Sequence, residues 1–201
     1  MTLWRGTQPL ILASQSTARQ ALLTSAGIAF EAIPAGLDEA AIKLASALSA
    51  PGEIAALLAR DKALFVSAKH PGRYVVGADQ TLVLGEQLFS KPAGVAQAAA
   101  QLRALAGQIH ELHSAAAIAR DGEILFETVS IARMTMRSLD EAAISVYLDA
   151  AGEAVTTSVG AYQLEGLGVH LFERIEGDHF TILGLPLLPL LKYLRSQGLL
   201  R

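Results

Sequence analysis

Short apolar runs bounded by polar turn formers alternate along this chain with longer stretches of helical spacing. Residues 10–13 form the first such run, which stops at Ser14-Gln15-Ser16 and reads as a buried strand. A helix is expected over 17–26, ended by Gly27, with a second strand over 28–33. Residues 35–40, AGLDEA, read as a loop entering a short helix. Pro51 then opens a long helix through GEIAALLARDKALFVSAK, whose apolar positions recur at helical spacing.

Beyond that helix the pattern turns to strands. Tyr74 begins one that is expected to end at GAD (77–79), and TLVLGEQLF reads as a hairpin turning at Gly85-Glu86. A helix follows over 95–105, closed by Gly107. Two long strands, HSAAAIAR and EILFETVSIARMTM, flank Asp121-Gly122, a dipeptide suited to a tight hairpin turn. After a helix over 139–149, GAYQLEGLGVHLFERIEG is more strand-like than helical, and a last helix starts at Pro186. Strand–helix units beside hairpins imply an α/β fold with a mixed sheet. No repeat, low-complexity tract or linker interrupts the 201 residues, so a single domain over 1–201 is expected.

Composition then narrows the function classes. Hydrophobic residues make up 52% of the chain and charged residues 17%, enough for a large core. A net charge of -3 argues against a dedicated nucleic-acid binder, which carries a basic surplus. With no cysteine there is neither disulfide nor thiolate metal site, which suits a cytoplasmic location. The mean hydropathy of +0.38 raises the question of a membrane segment. The best candidate, TILGLPLLPLL, is interrupted by prolines and far short of the ~18–20 residues needed to span, so no membrane association is expected. The N-terminal MTLWRGTQPLILAS ends without a small-residue cleavage site and reads as the first strand.

Several residues could carry chemistry. A strand–loop–helix junction exposes backbone N–H groups at the positive end of a helix dipole, so Ser14, Ser16, Thr17 and Arg19 could cradle a phosphate. The same stretch reads equally as a helix cap followed by a solvated arginine. Asp79 in GADQ suits either a catalytic carboxylate at a strand end or a turn former. Lys62 on the long helix and Lys91 in the loop SKPAG are anion ligands or solvated charges. Asp38 and Glu39 form a helix-capping pair or a metal-facing one. His110 and His113, in a strand entry, face opposite sides and make a poor metal pair. No Walker A, GxSxG or well-placed GxGxxG is present.

The order of these pieces is more specific than any one of them. With LASQSTARQALL, LDE, LARDKA, GADQTLVLGEQLFSKP, AGQIH, GAYQLEGLGVHLFERIEG and LGLPL in sequence, the chain resembles the Maf family of nucleoside triphosphate pyrophosphatases over nearly its whole length. The resemblance implies a Maf-like (ITPase-like) α/β fold: an elongated, twisted mixed sheet with flanking helices, in two lobes around a deep cleft. It also implies hydrolysis of a nucleoside triphosphate to monophosphate and pyrophosphate with a divalent cation, Mg²⁺ or Mn²⁺, and a tendency to form homodimers. By motif position Asp79 matches the general base, and Lys62 and Lys91 match the phosphate-binding lysines. Ser14, Ser16 and Arg19 match the first phosphate loop, and Glu39 the further acidic residue, at the metal. Cations gathered on a leaving pyrophosphate are what such chemistry needs.

This chain also departs from the family pattern. Thr17 and Ala18 replace the Pro and the Arg or Trp of the usual S-x-S-P-R-R or S-x-S-P-W-R loop. The segment 154–159 lacks the D-K-A-G wording. Gln80 and Glu165 resemble the 7-methyl-GTP branch, where a carboxylate accepts from guanine-type N–H donors. Ala18, by contrast, removes the plane that would stack on a methylated base. The resemblance therefore implies a pyrophosphatase for nucleotide-pool housekeeping with an open base preference. The altered loop keeps a second reading, a catalytically weak nucleotide-binding regulator linked to cell division and septum formation.

Overall fold

Leu10, Ile11 and Leu12 are wholly shielded from solvent, as a strand covered on both faces must be. In the computed structural model, which describes residues 3–201, they form β1 (Leu10–Leu12). The remaining elements follow in chain order as α1 (Thr17–Ser25), β2 (Phe30–Ala32), α2 (Glu39–Ser46), α3 (Pro51–Ser67), β3 (Val75–Leu84), β4 (Gln87–Phe89) and α4 (Val95–Leu105). Then come β5 (Ile109–Arg120), β6 (Glu123–Met136), α5 (Glu141–Ala151), β7 (Phe172–Glu176), α6 (His179–Ile182) and α7 (Leu187–Ser196). The strands form one mixed sheet in the order β2-β1-β3-β5-β6-β7, with β4 paired to β3. β1 runs parallel to β2 and β3, whereas β3–β4 and β6–β7 are antiparallel. The α/β class with a mixed sheet is as the sequence implied.

The chain divides into two compact units, and β3, β5 and β6 contribute residues to both. The first comprises the chain up to Gln80 with Ser114–Ser130 and His179–Arg201. Its sheet is covered on one side by α1 and α7, through Leu22, Leu23, Leu190 and Leu194 packed on Leu10, Leu12, Val76 and Ile118. On the other side lies α3, whose Ala55, Ala59 and Ala63 meet Ala115, Ala117 and Ala119 of β5. Methyl groups fill the buried centre of this contact, with Leu64 and Ile124 at its margin, so helix and sheet approach closely. Gly77 of β3 marks the tightest point: a Cβ on it would fall 2.0 Å from the Ala59 carbonyl oxygen and 2.7 Å from the Ala63 nitrogen.

The second unit, Thr81–His113 with Ile131–Asp178, contains the β3–β4 hairpin, α4 against α5, and the β6–β7 pair. His110 is buried there, its Nε2 2.7 Å from the Tyr162 hydroxyl. Burial drives the His110 pKa down to about 4.

Local chemistry explains most element ends. The hydroxyl of Ser16 and the carboxylates of Asp38 and Asp140 accept backbone N–H groups at the starts of α1, α2 and α5. Asp121 and Gly122 both take positive φ, 53° and 79°, the geometry of a tight β5–β6 turn. Two sequence expectations need correction. β3 does not end at Asp79 but continues to Leu84, because Leu82, Val83 and Leu84 find antiparallel partners in β4. The segment 160–177 is strand only over Phe172–Glu176; before that it forms 3-10 turns at Val159–Ala161 and Leu167–Leu171. Its glycines explain this: Gly160 takes φ 78°, and Gly168 lies against the Gln163 backbone, where a Cβ would come within 2.4 Å. The short helix α6 is an element that no sequence expectation covered.

Candidate active site

The strand–loop–helix junction that follows β1 is built from its own hydroxyls. Ser14 Oγ accepts the Ser16 N–H at 3.2 Å, and Ser16 Oγ accepts the Arg19 N–H at 3.3 Å, which caps α1. From the first turn of that helix the Arg19 guanidinium reaches inward. Its Nε donates to the Gly184 carbonyl at 2.7 Å, and its Nη1 donates to the Ala78 carbonyl at 2.9 Å and to Ser14 Oγ at 3.2 Å. Desolvation lowers the Arg19 pKa, and the charges of Asp79 and Glu39 oppose that fall.

On the other side of β3, the close approach at Gly77 brings Lys62 of α3 to Asp79. Lys62 Nζ lies 2.7 Å from Asp79 Oδ1 and 2.7 Å from Glu39 Oε1, so one ammonium holds two carboxylates. Lys62 and Asp79 are buried, whereas the Glu39 side chain is 44% exposed. Partial burial pushes the Glu39 pKa up, but the hydrogen bond and charge of Lys62, with Lys43 and Arg19 further off, outweigh it and leave Glu39 below the usual carboxylate range. Asp38, its neighbour, spends its carboxylate on the Ala41 N–H as the cap of α2.

β3 has lost its parallel neighbour where Asp79 stands. The β1–β3 ladder runs through Ile11 N–H to Tyr74 O and Ala13 N–H to Val76 O, after which the chain turns off at Ser14. Pairing with β4 resumes only at Leu82. Asp79 thus sits at the carboxyl end of the parallel pairing, where ligands of α/β sheets gather.

Ser14, Ser16, Arg19, Glu39, Lys62 and Asp79 all fall within the first unit. Gln80 belongs to it too, yet its side chain leaves β3 on the face opposite Asp79. Its Nε2 lies 2.9 Å from Ser114 Oγ, 3.1 Å from the Thr181 carbonyl and 3.0 Å from the Ile182 carbonyl. Ser114, wholly buried, donates in turn to Thr181 O at 2.7 Å. Ala18 lies half-buried in the first turn of α1. Lys91 and Glu165 lie in the second unit, Lys91 exposed in the loop before α4 and Glu165 exposed in a turn. His110 and His113 take different partners: His110 Nε2 meets the Tyr162 hydroxyl, and His113 Nε2 lies 2.9 Å from Glu111 Oε2. Sequence reasoning missed the Ala78 and Gly184 carbonyls, because backbone acceptors leave no mark in residue type. The one available signal was Gly184 itself, which holds φ 87° inside LGLPL.

A divalent cation can be tested against these donors. Among the described residues no group of three or more His, Asp or Glu is placed to hold a metal ion alone. The cluster does offer two hard carboxylates, Glu39 and Asp79, gathered on one ammonium. That set fits Mg²⁺ or Mn²⁺, which bind through one or two carboxylates and complete their shell with substrate phosphates and water.

Comparisons with known proteins cover nearly the whole chain. The family model described as Maf-like protein matches residues 9–197. A protein of Bradyrhizobium diazoefficiens called nucleoside triphosphate pyrophosphatase is 70% identical over 200 residues, 100% of this chain and 99% of its own length. One of the same description from Rhodopseudomonas palustris (strain CGA009) is 68% identical over the same shares. A Rhizobium etli protein called 7-methyl-GTP pyrophosphatase is 52% identical over 194 residues, 96% of this chain and 98% of its own length.

Proposed function

The chain belongs to the Maf family, and from that premise we propose that it is a nucleoside triphosphate pyrophosphatase, releasing monophosphate and pyrophosphate. The observation that carries the reading is the Lys62 ammonium joined to both Asp79 and Glu39, with Arg19 of the first loop close enough for its charge to act on both carboxylates.

In this reading Asp79 is the general base. Its Oδ1 accepts from Lys62, and Oδ2 is the oxygen that this pairing leaves to take a proton from the attacking water. The water oxygen bonds to phosphorus, the anhydride bond breaks, and the electron pair leaves with pyrophosphate. Lys62, whose third N–H is left by the two carboxylates, turns that donor to a phosphate oxygen. Ser14 and Ser16 shape the turn by taking up the Ser16 and Arg19 N–H groups, and its remaining amides would face the phosphates. Lys91 is the second phosphate-binding lysine, on the strength of the SKP motif. Mg²⁺ or Mn²⁺, held by Glu39 together with substrate phosphates and water, would neutralise charge on the phosphates.

Base choice rests on motif position. The carboxamide nitrogen of Gln80 is committed to Ser114 and two carbonyls on the face of β3 opposite Asp79, so Gln80 acts on the pocket from behind the strand. A carboxylate such as Glu165 favours a base that offers N–H donors. Ala18 leaves that base without a stacking plane.

The test is pyrophosphate release with Mg²⁺ across 7-methyl-GTP, dTTP, UTP, CTP and the common purine triphosphates. At least one is turned over, and Asp79→Asn lowers that rate by about 10²–10⁴-fold. An unchanged rate in the variant removes Asp79 from the chemistry. Tight binding without turnover across the panel favours instead the regulatory reading that the Thr17-Ala18 loop keeps open.

A further inference from the structure

We propose that Arg19 is a positioning residue, which holds the Ala78–Asp79 peptide in place by completing a strand ladder that the backbone abandons. In the parallel β1–β3 ladder, Ile11 N–H meets Tyr74 O and Ala13 N–H meets Val76 O. The next acceptor in that series, two residues on, is Ala78 O, and its regular donor would be the N–H of Gln15. The chain has left the sheet by then to make the serine turn. Arg19 Nη1 supplies the missing donor at 2.9 Å.

Ala78 is wholly buried, and a buried carbonyl without a partner is costly. That carbonyl belongs to the peptide unit leading into Asp79, so its orientation sets the direction in which the carboxylate leaves the strand. The guanidinium is fixed at two further points, by Nε to Gly184 O and by the second Nη1 bond to Ser14 Oγ. Gly184 is shaped for this seat: it holds φ 87°, and a Cβ there would lie 3.2 Å from Arg19 Nε and 3.2 Å from Nη2. A planar fork can serve two carbonyls at once, whereas an ammonium is a point donor. Arg19 thus joins the first loop, the Asp79 strand and the turn before α7. The LGLPL turn thereby acts on the reaction without touching substrate.

The proposal rests on the pyrophosphatase reading for its kinetics but not for its structural readout. Arg19→Lys keeps the charge and loses the fork, and Gly184→Ala crowds the seat while leaving Arg19 intact. Both are expected to lower kcat by about tenfold to a hundredfold, with KM and the calorimetric Kd for an α,β-methylene triphosphate within about threefold of native. In both, amide hydrogen exchange rises over residues 76–80. Arg19→Ala recovers part of its kcat in millimolar guanidinium chloride. A rise in KM and Kd at native kcat would make Arg19 a phosphate ligand and overturn the proposal, as would native exchange over 76–80 in both variants. If the native protein released no pyrophosphate from any nucleotide, the functional reading would fall while the exchange measurement still judged the role of Arg19.

Discussion

Gly77→Ala isolates the contact that brings Lys62 to Asp79. The added methyl would sit 2.0 Å from the Ala59 carbonyl oxygen and 2.7 Å from the Ala63 nitrogen, both backbone atoms that cannot swing aside. An ordinary carbon–oxygen contact is about 3.3 Å, so α3 must retreat from β3 by roughly 1.3 Å. Lys62 lies on the retreating helix, next to Ala63, and its 2.7 Å bond to Asp79 Oδ1 opens by a comparable distance unless the side chain re-extends. Overpacking of this kind costs about 1–3 kcal/mol. At about 2–4 °C per kcal/mol for a chain of this size, Tm should fall by roughly 2–12 °C. Misplacement by about 1 Å can cost on the order of 10²-fold in rate, so kcat/KM for pyrophosphate release should drop well beyond what the lost folded fraction explains. Adding Ala59→Gly should not rescue the variant, because the clash is with the carbonyl and not with the methyl. The measurements are a thermal melt and a pyrophosphate-release assay at a temperature where native and variant are fully folded. Native Tm together with native kcat/KM in Gly77→Ala would refute the idea that this contact sets the Lys62–Asp79 geometry.

Other outcomes follow from the same contacts. Lys62→Met strips the ammonium from buried Asp79 and should cost about 3–5 kcal/mol in urea unfolding; adding Asp79→Asn should recover part of it, and an additive double variant would refute the coupling. Glu39→Gln should raise the Mg²⁺ concentration needed for half-maximal rate, with a smaller effect on the rate at saturating metal; an unchanged Mg²⁺ titration would separate Glu39 from the cation. His110 is buried with its pKa lowered from 6.5 to about 4, so below 6.5 the unfolded chain takes up a proton that the native chain refuses. Stability should therefore fall as pH drops from 6.5 towards 4, by up to roughly 3 kcal/mol, and His110→Phe should flatten this slope in urea titrations at pH 7 and 4.5.

The strands and helices of the first unit were legible because their signals are local. Ser16 and Asp38 cap, Pro51 opens a helix and Gly27 takes φ 68° where α1 ends. Val95 to Leu105 matched its expected helix to the residue. The hairpin of TLVLGEQLF was legible, and Leu82 does pair with Phe89; that its first strand runs on unbroken from the one before Asp79 was not, because a carboxylate two residues after Gly77 looks like a strand end. The turns at 159–171 were missed for a related reason: aromatic and β-branched residues there mimic a strand, while the close backbone approach at Gly168 decides otherwise. At the site, residue types announced Asp79, Lys62, Glu39 and Arg19. Residue types carry no record of which partner each would choose. That Lys62 would bind carboxylates, and Arg19 backbone carbonyls, came from tertiary contact alone.

The alanine seam between α3 and β5 has a mechanical consequence. Methyl groups possess no side-chain torsions, so this interface has no rotamers to exchange and no soft groups to compress. A helix seated on longer aliphatic chains can rock as they repack; along Ala55, Ala59 and Ala63 the seam leaves α3 little such freedom. Motion of the Lys62 ammonium is then left chiefly to its own four-carbon stem, which makes the stem the hinge and the helix the frame.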